Sequence, residues 1–200
     1  MFIFLSLTRK HSQLEPKLYI DQHLEIVERC KAGDRKAQYD LYRLYAKSML
    51  NVSMRIVNHA AEAEDVLQEA FVDAFCNLNS FRGQSTFGAW LKQIVVNRAI
   101  NQIRQRKVQF IDIDEYGDSH DFVAIEPADE EEIELDVQRI RTAMGQLPEG
   151  YRVVLSLYLF EGYDHEEIGN ILGISEVTSR SQYMRGKKKL LELMKGQHER

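Results

Sequence analysis

Between Tyr19 and Lys107 apolar residues recur at three- and four-residue steps, the spacing that lays one stripe along a helix. This stretch has no proline, and its glycines are Gly33, Gly83 and Gly88. The pattern predicts four helices. The first lies around Asp21 to Lys31 and stops at Ala32-Gly33. Asp34 then offers an N-cap for a second, reaching about Val57 with Leu41, Leu44, Tyr45, Met49, Val52, Ile56 and Val57 inward. The third, from about Ala61 to Leu78, is the most two-faced. Val66, Leu67, Ala70, Phe71, Ala74, Phe75 and Leu78 form its inner stripe, and Glu62, Asp65, Glu69 and Asp73 its outer one. A loop at Asn79 to Ser85 leads to a fourth helix, from Thr86 or Phe87 to about Arg106. Its Phe87, Trp90, Leu91, Ile94 and Val95 give more apolar surface than one face needs, so part of that surface is expected to be exposed.

The pattern resumes at about Leu135. Pro148 starts a helix over Tyr151 to Phe160, Gly162 breaks it, and a short amphipathic helix follows with Ile168 and Leu172 one turn apart. A tight turn at Gly173 and an N-cap at Ser175 then open a last helix from Glu176 to about Lys189, completing a helix-turn-helix. That helix has no acid after Glu176 and carries Arg180, Arg185, Lys187, Lys188 and Lys189. Thr178, Ser179 and Arg180 near its N-terminus suit base edges and phosphates, which makes DNA the first partner to expect. The fold class is therefore all-α: an N-terminal four-helix domain at 19–107, an acidic linker at 108–136, and a C-terminal four-helix domain with a helix-turn-helix at 137–195.

Charge sharpens this division. The 200 residues are 44% hydrophobic and 28% charged, as in a soluble globular protein, and the net charge of -5 argues against a uniformly basic coat for nucleic acid. The average hides blocks. Arg82, Lys92, Arg98, Arg104, Arg106 and Lys107 follow one another with no acid between them, which suits backbone phosphates. Asp112 to Asp136 holds twelve acids and no Lys or Arg, too much like charge for a core, and is helical only at its end from Glu130 onward. The apolar FIFLSL near Met1 is too short to cross a membrane; residues 1–18 are an N-terminal extension outside the fold, or follow a start codon placed upstream of the true one. Cys30 and Cys76 stand far apart without a CxxC, so neither a disulfide framework nor a zinc site is indicated and a reducing cytoplasm fits.

The motifs then resemble one family: the group 4, or extracytoplasmic-function, sigma factors of bacterial RNA polymerase. Glu62-Ala63-Glu64-Asp65-Val66-Leu67-Gln68-Glu69 is similar to the family's polymerase-docking segment. Phe81-Arg82-Gly83-Gln84-Ser85-Thr86-Phe87-Gly88-Ala89-Trp90-Leu91 is similar to its segment for the −10 element. Leu147-Pro148-Glu149 and the helix-turn-helix resemble its −35-binding domain. The three occur in the family's order.

The resemblance implies a transcription initiation factor that joins core polymerase, recognises −35 and −10 elements and melts the −10 region. By it, Glu62, Asp65, Gln68 and Glu69 dock on polymerase; Arg82, Ser85, Phe87, Trp90, Lys92, Asn97, Arg98, Asn101 and Arg104 serve the −10 region; and Ser175, Thr178, Ser179, Arg180, Tyr183, Arg185 and Lys187 serve the −35 element. It also implies an anti-sigma factor as a partner, with no small-molecule substrate and no membrane insertion. The linker reads equally as a mimic of nascent RNA in a polymerase channel and as a plain solvated tether. Two positions depart from the family pattern: Ser179 stands where an apolar residue is common, and Gln182 where an arginine is common. Gly186 inside the same helix costs on the order of 1 kcal/mol relative to Ala.

Two other classes compete. A DNA-processing enzyme needs a supported nucleophile or a metal-binding carboxylate set, and Asp65, Glu69 and Asp73 have no placed partner. No P-loop, HExxH or Gly-rich phosphate motif occurs, and the six histidines are scattered, so no catalytic residue, metal ligand or cofactor is expected. A dimeric helix-turn-helix regulator acting without a sigma role is the other alternative.

Overall fold

The computed structural model describes residues 23–106 and 130–195, with side chains from residue 137 in the second span. The N-terminal extension and linker residues 107–129 lie outside the described residues. Every element is helical: α1 Leu24–Lys31, α2 Arg35–Val57, α3 Ala60–Cys76, a short 3-10 turn at Leu78–Ser80, α4 Phe87–Gln105, α5 Glu130–Gln146, α6 Glu149–Leu155 continuing into a π turn at Ser156–Phe160, α7 His165–Leu172 and α8 Glu176–Lys195.

Local chemistry sets the helix starts. Asp34 Oδ1 accepts from the amides of Lys36 at 2.9 Å and Ala37 at 3.1 Å, satisfying two otherwise orphaned donors at the head of α2. Thr86 Oγ1 does the same for Ala89 at α4. Asp164 and Glu167 form a reciprocal capping box at α7, and Ser175 Oγ accepts from the Thr178 amide at 3.0 Å at α8. Gly173 ends α7 with φ of 74°, a left-handed conformation that glycine adopts without penalty.

The four first helices bury Val27, Leu41, Ile56, Phe87, Leu91, Val95 and Ile100 between them. The expected inner stripes of α2 and α3 largely hold, with one correction: Leu44 is 48% exposed, because Leu41 and Tyr45 on either side already define the inward arc. The expected single helix over Tyr151 to Phe160 is also corrected. It winds into a π turn after Leu155, which keeps Ser156 and Leu157 buried and turns Tyr158, Leu159 and Phe160 outward.

The two domains do not sit apart. Val153, Val154, Leu157, Ile168 and Leu172 of the second domain belong to the same buried cluster as the core of the first. The last helix runs six residues beyond its expected end, to Lys195. Ser179, Gln182 and Gly186 form its buried face. A Cβ on Gly186 would lie 3.1 Å from both Tyr151 Cβ and Leu155 Cδ1, so close packing on α6 accounts for a glycine that helix propensity alone disfavours.

Candidate polymerase and nucleic-acid interface

The acidic face of α3 is partly spoken for within the protein. Glu62 receives Gln102 of α4 and Arg106 at the end of that helix. Burial works against the Glu62 carboxylate, but these hydrogen bonds outweigh it and hold its pKa below the ordinary value. Arg98 pairs with Glu69 at 3.2 Å and with Asp73. Asp65 and Gln68 are exposed and make no hydrogen bond or ion pair among the described residues. Of the four candidate docking residues, these two are the ones the structure leaves available.

The loop before α4 and the start of that helix carry an aromatic cluster. Phe87 is fully buried, with its ring 5.3 Å from Tyr45 and 5.7 Å from Phe81. This corrects its assignment to DNA: as the first residue of α4 it points into the domain and anchors the helix there. Trp90 is half-buried, 5.5 Å from Phe81 and 5.6 Å from Phe87, so one part of the indole rests on the core and the rest reaches solvent. Arg82 and Ser85 are exposed in the loop; Asn97, Asn101 and Arg104 are exposed on α4 at helical spacing.

The basic run along α4 is not a bare phosphate surface in this structure. Arg98 is taken by α3, Lys92 Nζ donates to the Glu161 carbonyl at 2.9 Å, and Arg104 Nη2 donates to the Ile171 carbonyl at 2.8 Å. Arg106 reaches Glu149 at 3.2 Å as well as Glu62. Three of the expected phosphate-binding cations thus contact the second domain.

In the helix-turn-helix, Ser179 is fully buried and its hydroxyl lies 3.0 Å from His165 Nδ1. That removes Ser179 from the DNA-facing set: four residues beyond the Ser175 cap, it faces α7, and its small polar side chain meets a histidine where an apolar group would leave the ring unsatisfied. Tyr183 is half-buried beside Tyr158, rings 4.6 Å apart; His165 stacks on Tyr158 at 4.6 Å and meets Tyr183 edge-on at 5.5 Å, so the three rings form one cluster. Burial, reinforced by Arg180, lowers the His165 pKa. Arg180 stands exposed, bonded to Glu176 one turn back. Lys187 is exposed and Arg185 half-buried; Thr178 shares a 2.7 Å hydrogen bond with Ser175.

Glu161 and Arg152 are absent from the sequence reading. Arg152 is buried, and its guanidinium donates to the carbonyls of Leu147 and, across the domains, Ile56. Local pattern gives no sign of the cross-domain contacts, because Ile56 and Arg55 of α2 and Lys92 of α4 lie far away along the chain. Among the described residues no group of His, Cys, Asp and Glu is placed to hold a metal ion, and no helix is long and apolar enough to cross a membrane.

Comparison with known proteins agrees with this anatomy. The family model for sigma-70 region 2 matches residues 41–108, and that for sigma-70 region 4 matches 137–190. The chain is 33% identical to the RNA polymerase sigma-H factor of Pseudomonas aeruginosa, over 84% of this chain and 91% of that protein. It is 30% identical to the ECF RNA polymerase sigma factor SigW of Bacillus subtilis, over 82% and 92%, and 31% identical to the ECF RNA polymerase sigma-E factor of Escherichia coli, over 81% and 88%. Among solved structures it is similar to the sigma factor RpoE in complex with the anti-sigma factor NepR from Bartonella quintana, with TM-score 0.52, 27% identity, and coverage of 78% of this chain and 96% of that one. CnrH in complex with the cytosolic domain of CnrY shares the fold at TM-score 0.50 and 21% identity, covering 86% and 96%. Two matched regions in order, with relatives aligned over nearly their whole length, establish that the chain belongs to the sigma-70 family of RNA polymerase sigma factors, in its extracytoplasmic-function group.

Proposed function

We infer that this protein is a promoter-specificity factor: it joins core RNA polymerase, directs it to particular promoters through −35 and −10 elements, and helps open the −10 region. The observation that carries the reading is the presence, on one chain and in order, of an acidic α3 face, an aromatic loop-to-helix junction and a basic helix-turn-helix, in the two regions that the sigma-70 models match. The factor contributes recognition while polymerase performs the chemistry, so it has no catalytic residue of its own, and it works in the cytoplasm where the DNA is.

In this reading Asp65 and Gln68 meet polymerase, with Glu62 and Glu69 held alongside by α4. Opening DNA without ATP requires compensation for lost stacking. Stacking on an aromatic side chain contributes roughly 1 to 3 kcal/mol per base, comparable to what unstacking costs, and the exposed part of Trp90 offers such a surface. Asn97 and Asn101 supply donors and acceptors for a displaced base, and Arg180 supplies a major-groove contact at −35. Because RpoE of Bartonella quintana is seen with the anti-sigma factor NepR, an anti-sigma factor is the expected regulator here too.

The test is transcription. Purified protein starting near Lys17 is mixed with core bacterial polymerase and promoter DNA that core alone ignores. Specific transcripts support the reading; tight dimeric binding to duplex DNA without any association with core would replace it with a conventional operator-binding regulator.

A further inference from the structure

The polar contacts between the two domains have a one-sided chemistry. From the first domain come Arg55, Asn58, Lys92, Arg104 and Arg106, and each donates; from the second come the Glu161 and Glu149 carboxylates and the carbonyls of Gly145, Glu161 and Ile171, which accept. The reverse direction is represented by Arg152 to the Ile56 carbonyl and Ser156 to the Arg55 carbonyl. The first domain thus presents a donor surface and the second covers it with oxygen.

Glu161 is the centre of this contact. Its side chain is only 3% exposed, and Oε1 receives the Arg55 guanidinium, with Nε at 3.1 Å, while Oε2 lies 3.6 Å from Lys92 Nζ. Arg55 also lies over the Phe160 ring, 5.4 Å from its centroid, and Lys92 lies 6.0 Å from that of Tyr163. Arg55 belongs to α2 and Lys92 to α4, two helices of the same domain packed directly on each other. The pair of cations therefore exists whether or not the second domain is in place. A carboxylate between a guanidinium and an ammonium has the oxygens and the charge of a phosphodiester.

We propose that Arg55 and Lys92 form a binding site for a DNA backbone phosphate, and that Glu161 occupies this site as a built-in competitor, holding the two domains closed until nucleic acid displaces it. The proposal deepens the promoter-factor reading and rests on it: the basic run of α4 then becomes accessible in step with opening, since Arg104 and Arg106 leave Ile171 and Glu149 by the same movement. Neutralising Glu161 leaves the two cations facing a buried uncharged partner, which disfavours the closed form and removes the competitor together.

The experiment uses the full chain and two readouts, small-angle scattering for domain separation and fluorescence anisotropy for binding of a short oligothymidine strand. In Glu161→Gln the radius of gyration is expected to rise and strand affinity to increase about tenfold, within the usual range of a coupling free energy. Adding Arg55→Gln and Lys92→Gln to that variant is expected to keep the chain open and abolish the gain. Saturating oligothymidine is expected to expand the unmodified chain, a measurement that needs no variant to fold. Unchanged scattering and affinity in Glu161→Gln, a gain that survives loss of both cations, or strand binding without expansion of the unmodified chain each overturns the proposal. If strand and scattering behave as expected while core polymerase initiates no transcription, the promoter-factor reading fails and the competitor stands; if transcription succeeds while Glu161→Gln changes neither readout, the competitor alone fails.

Discussion

His165 at the head of α7 and Ser179 in α8 are bonded to each other across the turn of the helix-turn-helix, Nδ1 to Oγ at 3.0 Å. The histidine is held below its ordinary pKa of 6.5 by burial and by Arg180. As pH falls, the unfolded chain takes up this proton before the folded one does, so the folded form loses stability. The contribution is complete above pH 6.5 and is lost downward from there. The melting temperature is expected to fall between about pH 7 and about pH 5, and His165→Gln to flatten that part of the curve relative to the unmodified protein.

Gly169 packs against the turn that follows its own helix. A Cβ there would lie 2.8 Å from the Ile174 carbonyl oxygen, a backbone atom that cannot swing away. Gly169→Ala is expected to cost about 1 to 3 kcal/mol in urea unfolding, although alanine is the better helix former. Asn170→Ala, at the exposed neighbouring position, is expected to stay within about 0.5 kcal/mol.

Asp65 is exposed on α3 and has no partner among the described residues, whereas Glu69 is tied to Arg98. Asp65→Lys is expected to weaken binding to core polymerase by about tenfold or more while leaving thermal stability within about 0.5 kcal/mol of the original. Adding Glu69→Lys deepens the loss and also lowers stability slightly, because Arg98 then faces a like charge. Polymerase affinity unchanged by Asp65→Lys would remove α3 from the docking surface.

Arg180 leans on Glu176 and is 64% exposed in its side chain, a position from which it turns toward a major groove at little cost. Arg180→Ala is expected to reduce initiation from a promoter with a −35 element by about 1 to 3 kcal/mol. On a template that lacks the element the loss should vanish. Equal losses on both would place Arg180 outside −35 recognition.

Much of the architecture is written in short-range signals. Asp34, Thr86 and Ser175 each stand one residue before a helix and accept from its first turn, so the starts of α2, α4 and α8 follow from sequence. Spacing likewise predicts the buried stripe of α3, from Val66 to Ala74. Phe87 and Ser179 lie in motifs that the family resemblance assigns to DNA, and motif membership does not fix the angle at which a side chain leaves its helix. Both turn inward, one onto Tyr45 and the other onto His165. The π turn at Ser156–Phe160 has no local signature, and the bond from Arg55 to Glu161 joins residues 106 positions apart. Such contacts depend on how whole domains meet, which periodicity does not encode.

Arg98 and Arg106 brace α4 to the acidic side of α3. The surface proposed for polymerase and the helix proposed for the melted strand are therefore joined side to side, so a tilt of the domain on its polymerase seat also moves the point where a base is caught. On the proposed roles, accuracy in positioning the opened strand is set where the factor is mounted, by how squarely the exposed Asp65 and Gln68 land.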